Sequence, residues 1–91
     1  MNKSEGLFTE WWENGEKRWE GTFKNGKLNG PYREWYEDGQ KMIEVNYNNG
    51  KEEGLVSSWY SNGQRKDIKI YHNDKLKRTI GKWNEDGSVR K

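Results

Sequence analysis

His72 is the one histidine in the chain, and there is no cysteine. A site built on two histidines, a thiolate metal site and a cysteine nucleophile are therefore excluded within the chain. A Ser-His-Asp set would have to use His72. That residue stands beside a turn, in a slot that holds Lys24 and Asn48 elsewhere, so it reads as a surface residue rather than a general base. Carboxylates come in adjacent pairs at Glu37-Asp38, Glu52-Glu53 and Glu85-Asp86. Such pairs can ligate a hard cation, but these lie at or near turn signals, where water is their natural partner. Every glycine but Gly21 and Gly81 falls in a turn or at a repeated position, which leaves no phosphate-cradling loop. No catalytic residue, cofactor or metal site is expected.

The remaining chemistry is aromatic and cationic. Six Trp, five Tyr and two Phe occur among 91 residues. Residues 1–63 carry 8 Lys and Arg against 11 Asp and Glu, whereas residues 64–91 carry 9 against 4. Arg65, Lys66, Lys69, Lys75, Lys77, Arg78 and Lys82 thus form a basic pole. Its plainest reading is a solvated, positively charged end. Aromatic rings interleaved with Lys and Arg on a sheet can also stack bases and hold phosphates. The rest of the chain is acidic, however, so a protein partner is favoured over nucleic acid. A membrane surface is not favoured, since there is no amphipathic helix or lipid anchor.

The elements that position these residues follow from an internal repeat. Trp11, Trp35, Trp59 and Trp83 are 24 residues apart, as are Gly15, Gly39, Gly63 and Gly87. Gly6, Gly30 and Gly54 keep the same interval, and so do Gly26 and Gly50. Each unit has two turn signals. Asn14-Gly15, Asp38-Gly39, Asn62-Gly63 and Asp86-Gly87 form one series; Asn25-Gly26, Asn49-Gly50 and Asn73-Asp74 form the other. These dipeptides supply the positive φ angles of a tight I′ hairpin turn. Between them lie short segments rich in aromatic and β-branched residues, which predict strands. Seven are expected, near 7–12, 17–24, 31–36, 41–48, 55–60, 65–72 and 79–84. Short turns in succession make an antiparallel meander, either a curled single sheet or an open half-barrel.

Period-two alternation sets the faces. Trp19, Gly21 and Phe23 share one, as do Ile43, Val45 and Tyr47, so this is the expected core face. In the third copy Ile68 and Ile70 fall out of phase, and a bulge near Ile70–Tyr71 would take up an extra residue. Trp12, Tyr36 and Tyr60 lie opposite the Trp11 series, beside Phe8, Tyr32, Val56 and Ile80. Aromatics on both faces mean that one set is left for contact. The predicted partner-binding residues are Trp12, Tyr36 and Tyr60 together with the basic pole.

Composition alone, 29% apolar and 35% charged, sits near the disordered class. Periodic aromatics argue against disorder, since each buries roughly 150–250 Å². Residues 1–5 are polar and are expected to be flexible, followed by one repeat domain over 6–91. Its units are 6–29, 30–53, 54–77 and a partial 78–91. The N-terminus has no apolar stretch of signal-peptide type, and no run approaches the roughly 18 apolar residues that span a bilayer. Cytoplasmic localisation is the default expectation.

The pattern Gly-x-x-x-x-Trp-Tyr-x-Asn-Gly-Gln runs from Gly54 to Gln64 and nearly as well from Gly30 to Gln40. An alternating strand and then Asn-Gly-Lys-x-x-Gly complete it, as from Asn25 to Gly30. This unit resembles the bacterial variant of the MORN repeat. The chain departs from the pattern at Asp67, Asp74 and Arg78, which fits an atypical terminal unit. Proteins similar to this are often YwqK-type antitoxin components. The resemblance implies partner binding, with no catalytic residues to carry over. The expectation is a non-enzymatic protein-binding module, in its most concrete form a bacterial or phage antitoxin or inhibitor that occludes an enzyme. Nucleic-acid binding through the basic third is one alternative. Self-assembly through open edge strands is the other.

Overall fold

Asn-Gly turns force the chain back on itself at short intervals. A computed structural model describes residues 5–90. Seven strands form, β1 (Glu5–Trp11), β2 (Lys17–Lys24), β3 (Lys27–Trp35), β4 (Lys41–Asn48), β5 (Lys51–Trp59), β6 (Arg65–His72) and β7 (Lys75–Lys82). They pair in sequence order as one antiparallel sheet. Residues 1–4 of the segment expected to be flexible lie outside the described residues, and Glu5 opens β1. Strands β3, β5 and β7 begin earlier than expected because two-residue turns hand the chain directly across, with Lys24 opposite Lys27 and Asn48 opposite Lys51.

The two turn series differ. Asn25 and Gly26 both have positive φ, 52° and 79°, as do Asn49-Gly50 and Asn73-Asp74. These are the expected I′ turns. In the other series only the glycine is left-handed, at 90° to 91°, so the I′ expectation is corrected there. Gly15 N–H donates to the Trp12 carbonyl at 3.0 Å, and Trp12 N–H to the Glu16 carbonyl at 2.8 Å. The Asn14 side chain accepts from Glu16 N–H at 2.9 Å. This loop is longer than two residues, and a right-handed turn closed by one left-handed glycine fits it. Nothing lies within 4 Å of a Cβ built on Gly26, so Gly26→Ala should cost about 1–2 kcal/mol from backbone strain alone. Urea denaturation would measure it.

Each unit also carries bulges. Register shifts at Glu10/Trp11, Glu34/Trp35 and Ser58/Trp59 leave Arg18, Met42 and Lys66 as extra residues on the partner strands. A second series lies opposite Gly21/Phe23 and Val45/Tyr47, beside the left-handed Gly30 and Gly54. Arg78 fills that glycine slot in the last unit and is not left-handed. The pairing there splits into two shifts, at Ile68/Lys69 and Ile70/Tyr71. A register break thus occurs where one was expected, but the extra residues, Lys77 and Ile80, belong to β7. Strand β6 pairs with β5 without interruption from Asp67 to Tyr71. Ile68 and Ile70 therefore remain on the face away from Asp67.

The sheet is a single open layer, 44 × 35 × 10 Å across its Cα atoms. It is not closed into a barrel, and its thinness leaves it only shallowly bent. One face is aromatic. Phe8 packs edge-on to Phe23, Trp19 stacks on Tyr32, and Tyr32 meets Tyr47 edge-on, with centroids 5.7 to 6.0 Å apart. Val45 and Val56, directly opposite each other, are the buried hydrophobics among the described residues, 3% and 7% exposed.

The reverse face carries a polar row. Thr9, Glu20, Arg33, Glu44 and Ser57 follow one another across the strands. Arg33 Nε donates to Glu44 at 2.7 Å, and Thr9 Oγ1 to Glu20 at 2.8 Å. The hydrogen bond from Thr9 holds Glu20 below its ordinary carboxyl range, and the one from Arg33 does the same for Glu44. Both groups favour the folded state when ionised, so their contribution is complete above the ordinary value of 4.5. It is lost as pH falls through the lowered folded values. Urea midpoints followed down from neutral pH should drop below about pH 4.5, and less so in a Thr9→Val, Arg33→Met variant.

Candidate functional site

Trp12, Tyr36 and Tyr60, predicted as contact residues, have their polar tips engaged inside the sheet. Trp12 Nε1 donates to the Trp35 carbonyl at 3.2 Å. The Tyr36 hydroxyl donates to the Trp59 carbonyl at 2.8 Å, and the Tyr60 hydroxyl to the Trp83 carbonyl at 2.9 Å. Each bond straps one unit to the next across 23 residues. Asn14 and Asn62 add parallel straps to the Glu37 and Glu85 carbonyls, both at 2.8 Å. Burial pushes the Tyr36 phenol above its ordinary pKa. Arg18 lies 4.9 Å over the Trp12 ring and Lys66 5.7 Å over Tyr60. These residues staple the units together. Tyr36→Phe and Tyr60→Phe should each cost about 1 kcal/mol, read from urea midpoints; no loss in either would mean the bonds do not form in solution.

The basic pole is divided. Lys66, Lys69 and Lys82 belong to the aromatic face: Lys66 sits over Tyr60, Lys69 faces Val56 and Lys82 faces Asp67 across the strands. Arg65 pairs with Trp59 on the reverse face. Lys75, Lys77 and Arg78 are exposed along edge strand β7. Asp67 takes the slot of Ile43 and is 9% exposed. It accepts from Ser58 at 2.8 Å and pairs with Lys69 at 3.7 Å.

The reverse face has a second aromatic row that the alternation left incomplete. Trp11, Trp35 and Trp59 sit opposite Lys17, Lys41 and Arg65. Lys17 lies 5.6 Å over Trp35 and Lys41 5.7 Å over Trp59. Trp11, Glu16, Lys17 and Trp35 line an open cleft of about 400 Å³. Trp83 closes the row against Gly81, where a Cβ would come within 2.5 Å of its ring.

Among the described residues no group of three His, Cys, Asp or Glu could hold a metal ion. His72 Nδ1 is 2.9 Å from Glu53 and exposed. That hydrogen bond holds Glu53 below its ordinary pKa, while burial raises Glu52. Glu37-Asp38 and Glu85-Asp86 lie at exposed turns.

The aromatic face is the feature with no structural partner. No large side chain in the described residues is fully buried, and Phe8, Trp19, Phe23, Tyr32, Ile43 and Tyr47 are all half-buried on it. Burial pushes the Tyr32 and Tyr47 phenols above their ordinary range, and Tyr32 donates to Glu34 at 2.5 Å. These hydroxyls stay neutral at any physiological pH. The face presents a wide, uncharged, ring-rich centre, of the kind that marks a contact surface.

A family model described as MORN repeat variant matches residues 4–25, 28–49 and 52–73. No curated protein and no solved structure matches the chain.

Proposed function

The chain belongs to the MORN repeat variant family, and from that premise we propose that it is a non-catalytic protein-binding module that docks its partner on the aromatic face. One observation carries this reading: the sheet has no second layer among the described residues, so its aromatic face stays half-exposed. Sheets ordinarily bury one face against another element. Covering this one returns roughly 25 cal/mol for each Å² of apolar surface removed from water.

The resemblance of the units to YwqK-type antitoxin components supports a specific form of the proposal. In it the chain occludes a bacterial or phage toxin or defence enzyme. Phe8→Ser with Tyr47→Ser should abolish capture of such a partner while the melting curve stays cooperative, and Trp11→Ser with Leu55→Ser on the reverse face should leave capture intact. The opposite pattern would refute the choice of face. Nucleic acid is the less favoured partner because the cations divide between two faces and an edge. A complex that loses orders of magnitude in affinity between low and moderate salt would reverse that preference.

A further inference from the structure

The aromatic face has a charge order as well as an apolar centre. Glu10 and Glu34 flank Trp19 across the strands, whereas Glu52 lies on β5 opposite Tyr47, away from both. The cation beside the flanking pair is Arg18, 3.7 Å from Glu10. At the other end of that cross-strand row Lys66, Lys69 and Lys82 surround the carboxylate of Asp67. Along the row from Glu10 to Lys82 one end is therefore acidic and the other basic, with Tyr32, Val45 and Val56 beside its middle.

Such a surface is complementary to itself. A half-turn about an axis parallel to the strands sets the face of one sheet on the face of another. It places β1 over β7 and β4 over β4. The acidic end then meets the basic end twice, and Val45 lies near the axis. A half-turn about the perpendicular in-plane axis would instead put acid on acid. Sheets stack face to face about 10 Å apart with strands nearly aligned, which this operation preserves. The 44 × 35 Å outline of the sheet offers more than the roughly 800 Å² per partner of a stable interface. Pairing through the β7 edges would bring together Lys75, Lys77, Arg78 and Lys82 from each copy, and edge cations of this kind oppose strand addition.

We infer that the aromatic face takes a second copy of this chain, in a two-fold dimer whose axis runs parallel to the strands. The inference rests on the protein-docking reading and names a partner for that same face; any foreign partner must displace the second copy.

Sedimentation equilibrium tests it. The wild type should show twice the 10.9 kDa chain mass in the micromolar range. Glu10→Lys with Glu34→Lys turns the acidic end basic, and Lys66→Glu with Lys69→Glu turns the basic end acidic. Each variant alone should be monomeric, and an equimolar mixture should recover the dimer mass. If charge reversal disturbs folding, Lys66→Gln with Lys69→Gln should still weaken the wild-type dimer at least tenfold. A wild type monomeric at millimolar concentration, variants that remain dimeric, or a mixture that stays monomeric would each overturn the inference. Those outcomes leave the docking reading to its own test, the capture of a foreign partner by face variants.

Discussion

Val45→Asp is expected to remove most of the folding stability at room temperature. Val45 is 3% exposed and faces Tyr32 on one side and Val56 on the other. An aspartate there would place a carboxylate in the one dry strip of the sheet. Burying an unpaired charge costs about 3 kcal/mol or more. A domain of this size has roughly 5–14 kcal/mol in total, and a single layer with two buried hydrophobics among the described residues belongs at the low end. Leu55, the neighbour of Val56, is the matched control. It lies on the reverse face and is 55% exposed, so Leu55→Asp should change stability by less than about 0.5 kcal/mol. Tryptophan fluorescence during urea denaturation reads both variants, and equal losses would mean that the faces are misassigned.

Asp67→Ile with Lys69→Val should stabilise the chain by about 1–3 kcal/mol. The double change gives the third unit the residues that Ile43 and Val45 supply in the second. Asp67 has little exposure and is held by Ser58 and Lys69. Replacing such a pair by apolar residues of similar volume is often stabilising. Asp67→Ala alone should instead cost about 1–2 kcal/mol, because it leaves Ser58 unpaired and opens a cavity. The effects are not additive, since both positions share one network. One positive and one negative charge are removed together, so the polarity of the aromatic face is unchanged. Urea midpoints of the single and double variants check the sign, and a destabilised double variant would contradict it.

Turn dipeptides and alternation made the strands, their order and the aromatic face legible. Trp19, Phe23, Ile43, Val45 and Tyr47 fall where period two places them. The alternation loses its phase at bulges. Lys17 and Trp19 share parity, but the extra residue Arg18 puts Lys17 opposite Trp11 on the reverse face. The cation rows on Trp35 and Trp59 were therefore not visible in the spacing. Turn type was half legible, because the Asn14-Gly15 loop is set by backbone bonds between Trp12 and Glu16 that its dipeptide does not reveal. Trp12, Tyr36 and Tyr60 looked like spare aromatics. Their role lies in how far a ring tip reaches into the next unit, which depends on three-dimensional stacking. Nor does composition show whether a second layer covers the aromatic side chains.

Site-specific photo-crosslinking in intact cells of the source organism tests the docking face most directly. A benzophenone side chain at Tyr47, on the aromatic face, should trap a protein, either a second copy or a foreign partner. The same group at Leu55, on the reverse face, should trap none above background. Crosslinks from Leu55 with none from Tyr47 would contradict the account.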